Sequence, residues 1–337
     1  MMGAQPLMRI ENLVKHFHVR LGAFGERAAT VHALDDISFE ILEGETLSLV
    51  GESGCGKSTT GFTLLNLHKA TEGKVLYQGK NIVELDEKAM RPYRRQLQIV
   101  FQAPYSTLNP RMTIGEAVGE PILFHKLSTK AELKDRISTL LADVGLPPRF
   151  ASRYPHELSG GQRQRVAIAR ALACQPKFIV CDEAISALDV SVQAQIINLL
   201  LDLQQKYGLT YLFIAHDLAV VRHISDRVGV MYLGRLAELT SREELFDNPL
   251  HPYTKALLSA VPEADPSHER SRRRQVLQGD VPSPLSPPSG CRFHTRCPIA
   301  MDICGKVVPE WREALPGHHV ACHAVTEGLS GKGGLSG

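Results

Sequence analysis

The sequence predicts an α/β fold built around a buried parallel sheet, and three observations predict it. Residues 178–181 and 211–215 are short, nearly all-apolar runs, the pattern of strands covered on both faces. Residues 190–206 between them read as a helix, and strand–helix–strand alternation places helices on both faces of a parallel sheet. Residues 45–50 form another apolar strand, which runs through a Gly-rich loop into a helix over 58–67.

The remaining elements follow in order. Residues 7–13 and 33–41 are strand-like, and 74–77 and 98–101 read as further strands. Between about 104 and 177 the pattern turns helical, with three-to-four apolar spacing over 114–123 and 131–144. Gly145-Leu146-Pro147-Pro148 then breaks the chain, and a helix over 160–173 starts after a Gly pair. Residues 228–239 read as a hairpin or edge strands, and 253–261 as one more helix. Residues 282–288 hold four prolines, which predicts an extended linker, and 328–337 is a Gly/Ser-rich tail expected to be disordered.

Composition narrows the class. The chain has 337 residues, with 38 Lys+Arg against 36 Asp+Glu and a formal charge of +2. At roughly 150 residues per domain this length suggests about two domains. The 43% hydrophobic and 22% charged fractions exclude a wholly disordered chain, a collagen and a small disulfide scaffold. Near-neutral charge supplies no global pull toward nucleic acid or acidic lipid. No run approaches the roughly 18 apolar residues of a membrane span, and residues 1–13 lack the pattern of a secretory signal. Any membrane association is expected to come through partners.

Gly51-Glu52-Ser53-Gly54-Cys55-Gly56-Lys57-Ser58 fits the G-x-x-x-x-G-K-[ST] phosphate loop, between a predicted strand and a predicted helix. Glycines let backbone N–H groups curl around phosphate oxygens, and the following helix points its positive end at the same anion. Lys57 suits the β/γ-phosphates, and the Ser58 hydroxyl suits Mg²⁺; Thr59 follows in the same turn. The strand 178–181 ends in Asp182 and Glu183, one acid placed for Mg²⁺ and the next able to polarise an attacking water. Without the phosphate loop, an exposed acidic strand end would be the better reading. Leu158-Ser159-Gly160-Gly161-Gln162 opens a basic helix carrying Arg163, Arg165 and Arg170, a second anion-seeking helix start. A plain helix cap would explain Ser159 alone, but not this ordered set of motifs.

Over roughly 7–261 the sequence resembles the nucleotide-binding subunit of an ATP-binding cassette (ABC) transporter. The resemblance rests on the phosphate loop, Gln102, Leu158–Gln162, Asp182-Glu183, Ser186-Ala187-Leu188-Asp189 and His216, all in family order. It implies a P-loop NTPase fold: a RecA-like core with a parallel sheet, an antiparallel β subdomain and a helical subdomain near 104–177. Residues 1–250 would be the ATPase domain, 251–326 a C-terminal Cys-rich extension and 327–337 the tail.

The resemblance also implies roles. Two cassettes pair head to tail, with ATP between the phosphate loop of one and the Leu158–Gln162 signature of the other. Glu183 and His216 would be catalytic, Gln102 would join Ser58 and Asp182 at Mg²⁺, Asp189 would lie at the dimer seam, and Phe17 would stack on adenine. A core Phe competes with that last role, because His16 and His18 blur the register. The sequence departs from the family in one respect, with Ala184-Ile185 after Asp182-Glu183 where the family has Pro. Only the geometry of that turn is affected.

His251–Pro262, Tyr105–Arg111, Pro282-Ser283-Pro284 and Pro287–Cys291 are similar to the peptide and nickel importer ATPases. Arg153–Glu157 and Gln162–Arg165 resemble the second ATPase subunit of the dipeptide-permease type, with the oligopeptide counterpart close by. The implied function is ATP hydrolysis that powers import of dipeptides or oligopeptides. The implied partners are a second ATPase subunit, two transmembrane permease subunits and an extracytoplasmic peptide-binding protein, with no nucleic acid. The chain would sit on the cytoplasmic face of the bacterial inner membrane. Nickel and glutathione importers are the alternatives. A non-transport ABC ATPase fits less well, since repair versions carry long coiled-coil insertions and ribosomal ones carry two cassettes.

Seven cysteines cannot all pair. Cys55, Cys174 and Cys181 lie in the body of the chain, while Cys291, Cys297, Cys304 and Cys322 cluster late. In a reducing compartment four clustered thiols read as metal or iron–sulfur ligation, and ligand type alone suits [4Fe–4S] and tetrahedral Zn²⁺ equally. The spacing is neither that of zinc ribbons nor of bacterial ferredoxins. Wide spacing suits loops around a bulky cluster, and the family resemblance also implies iron–sulfur. A structural staple is the expected role, because the Pro-rich segment has few large apolar residues.

Overall fold

The computed structural model describes residues 6–21, 27–102, 107–260 and 277–325. The predicted tail, together with Tyr105, Ser106, Val261 and Pro262 of the quoted motifs, lies outside the described residues. In chain order the strands are β1 (Pro6–Leu21), β2 (Arg27–Leu42), β3 (Thr46–Val50), β4 (Glu72–Tyr77), β5 (Lys80–Asn81), β6 (Leu97–Val100), β7 (Phe178–Asp182), β8 (Thr210–Ile214), β9 (Arg227–Tyr232), β10 (Arg235–Ser241), β11 (Arg312–Leu315) and β12 (His318–Val320). The helices are α1 (Lys57–Leu64), α2 (Glu87–Gln96), α3 (Ile114–Phe124), α4 (Leu133–Asp143), α5 (Gly160–Leu172), α6 (Val190–Tyr207), α7 (Leu218–Ile224), α8 (Arg242–Asp247) and α9 (Pro252–Ser259).

The chain divides into two compact units. The first comprises Met1–Pro6, Leu42–Thr46 and Glu84–Ile214. In it β6, β7 and β8 pair in parallel, Val100 opposite Cys181 and Asp182 opposite Ile214. Every residue of β7 and β8 is buried, as expected for strands covered on both faces. The helices start where short polar side chains satisfy free N–H groups. Thr113 and Glu116 form a reciprocal capping box at α3, Ser159 and Gln162 form one at α5, and Asp189 caps α6. The unpredicted α2 carries Pro92 and the basic residues Arg91, Arg94 and Arg95, with Met90 buried. Its periodicity is therefore weak in the sequence.

The second unit comprises Leu7–Ile41, Leu47–Val83 and Ala215–Gly337. One sheet runs β2-β1-β4-β5, with β1 antiparallel to β4, Met8 opposite Tyr77 and a register shift between Glu11 and Val14. Strands β1 and β2 exceed their predicted lengths, because the extra residues mix charge with apolar side chains and show no clean alternation. Elsewhere in this unit β3 pairs in parallel with β9, β9 forms the expected hairpin with β10, and β10 continues antiparallel to β12 and then β11. The short β11–β12 hairpin is absent from the sequence expectations.

Glu238 on β10 holds the chain that follows it. Fully buried, it accepts the N–H groups of Leu250 (2.7 Å) and His251 (2.9 Å) and pairs with His318 Nε2 at 2.7 Å. Burial pushes its carboxyl pKa up. The hydrogen bonds from His318, Leu250 and His251 outweigh that and hold it below the usual value. His251 then caps α9, its Nδ1 accepting the Tyr253 N–H at 3.0 Å. No helix among the described residues is long and apolar enough to cross a membrane.

Candidate active site

In the second unit β3 delivers the chain into the loop Gly51–Ser58, and α1 begins at Lys57. Two glycines are required by space as well as by φ. At Gly51 (φ +147°) a Cβ would lie 2.2 Å from the Met231 carbonyl oxygen, and at Gly56 (φ +108°) it would lie 2.5 Å from that of Ala33. The loop therefore packs on backbone, and it is closed further by Gly234 N–H donating to the Cys55 carbonyl at 2.8 Å. Lys57 is buried and donates to the carbonyls of Gly51 (2.8 Å) and Glu52 (3.1 Å), with Cys55 Sγ at 3.7 Å. Burial pushes the Cys55 thiol pKa up against the opposing effect of Lys57, so it is a packed thiol. Thr60 Oγ1 donates back to the Gly56 carbonyl at 3.0 Å, tightening the first turn of α1.

Phe17 lies on β1, half-buried. His68 meets its ring edge-on at 5.3 Å, and Lys15 Nζ lies 4.5 Å from its centroid. His216 follows directly on Ala215, whose N–H donates to the Leu49 carbonyl of β3 at 3.2 Å.

The first unit holds the acidic and signature residues. Asp182 closes the buried strand β7 and is itself buried. Glu183 leaves the strand in the left-handed region, at φ +47°, with its N–H on the Ile214 carbonyl of β8 at 3.0 Å. A non-glycine residue held in that conformation is a costly arrangement of the kind that clusters at functional sites. Ser186 Oγ donates to the Glu183 carbonyl at 3.0 Å and accepts Gln102 Nε2 at 3.1 Å. Gln102, β7 and the turn after it thus form one hydrogen-bonded group. The Ala184-Ile185 departure is accommodated here, with both side chains buried.

Leu158 is buried, Ser159 caps α5, and Gly160 and Gly161 form its first turn. A Cβ on Gly161 would lie 2.5 Å from Val192 Cγ1 of α6. The signature therefore sits tightly against the start of the helix that exposed Asp189 caps. The Asp189 carboxylate accepts from the Val192 N–H and the Ser191 hydroxyl, which hold its pKa low.

The four late cysteines belong to the second unit. Cys291 N–H donates to the Cys304 carbonyl at 2.7 Å, drawing two of the thiol-bearing turns together. Burial pushes the Cys291 thiol pKa up to about 11, and the neighbouring thiols of Cys304, Cys322 and Cys297 add to the rise. The one trio of His, Cys, Asp or Glu ligand atoms within 4.8 Å of one another among the described residues is His16, His32 and Asp35. Arg292 also pairs with Asp35, through the carboxylate oxygen that His32 approaches, and already supplies its counter-charge. Two further contacts left no motif in the sequence: Arg292 on Asp35, and Arg296 on Glu52 of the phosphate loop.

The family model for "ABC transporter" matches residues 34–186, and that for "Oligopeptide/dipeptide transporter, C-terminal region" matches 237–304. The oligopeptide transport ATP-binding protein AppF of Bacillus subtilis is 53% identical over 320 residues, covering 95% of this chain and 97% of that protein. Among solved structures, the dimeric post-hydrolysis state of the ATP-binding cassette MJ0796 bound to ADP and Pi has a TM-score of 0.61 at 33% identity. It covers 70% of this chain and 98% of that one. cbiO1 of Clostridium perfringens, part of the ABC transporter complex cbiONQ, has a TM-score of 0.62 at 28% identity, covering 72% and 91%. With the phosphate loop, the acidic strand end and the signature helix in place, these likenesses establish that the chain belongs to the ABC transporter family, as an ATPase cassette with the C-terminal region of the oligopeptide/dipeptide branch.

Proposed function

We propose that this ATPase powers the import of dipeptides or oligopeptides as one subunit of a membrane transporter. The observation that carries the substrate class is the oligopeptide/dipeptide C-terminal region following the cassette in one chain. The likeness to AppF along nearly the whole length supports it. In this reading a second ATPase subunit pairs with the chain, and two permease subunits anchor the pair at the cytoplasmic face of the membrane. An extracytoplasmic binding protein delivers the peptide. Dipeptides are the narrower form of the proposal.

In the chemistry we assign, the backbone N–H groups of Gly51–Ser58 wrap the phosphates and Lys57 neutralises charge at the β/γ-phosphates. Ser53 and Ser58 belong to the same loop, Thr59 follows on α1, and Phe17 offers a face to the adenine. Ser58, Asp182 and Gln102 would hold Mg²⁺, which when bound offsets phosphate charge. Glu183 accepts a proton from the attacking water, and His216 holds the water and contacts the γ-phosphate. Leu158–Gln162 presents the start of α5 to the nucleotide of the partner subunit, with Asp189 at the seam. ATP binding closes the pair, hydrolysis reopens it, and the permease subunits follow.

We assign Cys291, Cys297, Cys304 and Cys322 to a [4Fe–4S] cluster. Burial pushes the thiol pKa values of Cys291, Cys297 and Cys322 up, neighbouring thiols add to the rise, and a bound cationic group would relieve that repulsion. When bound, such a group would tie the cysteine-bearing turns together.

Uptake tests the proposal. Cells lacking the gene should fail to take up labelled di- and oligopeptides, and the wild-type gene, but not the Glu183→Gln form, should restore uptake. Loss of nickel or glutathione uptake with peptide uptake intact would overturn it.

A further inference from the structure

We propose that Arg296 and Tyr253 are positioning residues for the phosphate loop, and that the cysteine-bearing segment sets the loop's nucleotide affinity through Arg296. Glu52 is the loop's second residue, and it is held from both ends. Its carboxylate receives Arg296 Nη1 at 2.7 Å and Nη2 at 3.1 Å, a two-pronged pair. Its backbone N–H donates to the Tyr253 hydroxyl at 2.9 Å. The Arg296 side chain is 7% exposed and that of Glu52 26%, so solvent screens the pair only in part.

The electrostatic consequence is direct. A carboxylate beside a loop that binds polyphosphate repels its ligand, and Arg296 cancels that charge while fixing the backbone that carries it. Behind the pair, Phe293 packs on the rings of Tyr232 (5.2 Å) and Tyr253 (5.3 Å), which are themselves 4.7 Å apart. Arg296 thus leaves the cysteine segment from a rigid aromatic bed.

The link to the thiols is short. Arg296 immediately precedes Cys297, and its N–H donates to the Phe293 carbonyl at 3.0 Å. His294 N–H donates to the Cys291 carbonyl at 3.0 Å, and Cys297 N–H lies 3.4 Å from the His294 carbonyl. These successive turns leave Arg296 little freedom to move independently of Cys291 and Cys297. Whatever fixes the sulfurs therefore fixes the guanidinium on Glu52.

The test is nucleotide affinity of the full chain, titrated with a fluorescent ATP analogue, for wild type, Glu52→Gln, Arg296→Met and the double variant. Arg296→Met should weaken binding about tenfold. The double variant should recover to within about threefold of wild type, because the uncompensated charge has gone. Tyr253→Phe should weaken binding in the same direction by less, through loss of the acceptor for the Glu52 N–H. Arg296→Lys, which keeps the charge but not the fork, should lie between wild type and Arg296→Met, and it serves should Arg296→Met fail to fold. Cys297→Ser should weaken binding in the wild-type background and add nothing to Arg296→Met. Wild-type affinity in Arg296→Met, or a double variant no better than that single one, would overturn the positioning role. Equal losses from Cys297→Ser in both backgrounds would overturn the link to the cysteines. The inference rests on the phosphate-loop assignment, which fails separately if Lys57→Ala leaves affinity unchanged.

Discussion

Substituting Gly161 by alanine probes how the signature is held. The new Cβ would lie 2.5 Å from Val192 Cγ1, against the 3.4–4 Å of an ordinary contact, an overlap of about 1 Å. Valine on a helix is stiff at χ1, so the methyl cannot swing away cheaply. Overpacking of this kind costs about 1–3 kcal/mol, while alanine returns up to about 1 kcal/mol of helix propensity. The single variant should lose about 0–2 kcal/mol, too small a figure to read alone. A cycle with Val192→Ala isolates the clash, because the propensity gain and the cost of trimming Val192 enter both arms and cancel. Urea unfolding of the four full-length proteins should give a coupling of about 1–3 kcal/mol in favour of the double variant. Nucleotide affinity of the isolated chain should not change, because the signature is assigned to the partner's nucleotide. Turnover of the assembled pair should fall in Gly161→Ala and recover in part in the double variant. Additivity within about 0.5 kcal/mol would refute the packing argument.

Glu183→Gln should bind ATP with near-normal affinity, lose at least about a hundredfold in steady-state turnover, and accumulate as a closed ATP-bound pair on size exclusion; rapid turnover would remove its role as base. Anaerobically purified protein should contain about four irons per chain with an iron–sulfur absorption band, lost in Cys291→Ser or Cys322→Ser, whereas one zinc and no iron would make the segment zinc-stapled. Acid should act through His251, whose pKa burial depresses from 6.5 to about 4. The folded state resists protonation of this ring, since Nδ1 accepts the Tyr253 N–H, and the unfolded chain does not. Its contribution to stability is therefore complete above pH 6.5 and declines as pH falls toward 4, by about 3 kcal/mol in all. Urea midpoints measured between pH 7 and 4 should fall less steeply in His251→Asn, and identical slopes would refute the assignment.

The family was legible because each motif of the candidate site is a contiguous run. The phosphate loop, Leu158–Gln162 and Asp182-Glu183 each carry their glycines, cap or acids at fixed spacing, and a buried strand or helix start adjoins each in the sequence itself. What could not be read is long-range. Arg296 and Glu52 lie 244 positions apart, and Arg292 and Asp35 lie 257 apart, and no periodicity announces such pairs. The strain at Glu183 was also invisible, since its left-handed backbone follows from the meeting of β7 and β8. Helix α2 was missed because one buried residue, Met90, defines its inner face. The sequence leaves the cysteines' partner open, because thiolates suit zinc and iron alike.

The long-range pairs also decide how the C-terminal segment should be regarded. Three acids of the second unit find polar partners in it: Asp35 in Arg292, Glu52 in Arg296 and Glu238 in His318. Asp35 and Glu238 are buried, and removing one partner of a buried pair costs far more than the pair contributes, because the other charge is stranded. The acids and their partners therefore stand or fall together. Both arginines flank cysteines, Arg292 next to Cys291 and Arg296 next to Cys297. A group that organises those thiols would place both guanidinia at once, one on β2 and one on the phosphate loop. Occupancy at the cysteines and order at the nucleotide loop would in that case be the same structural variable.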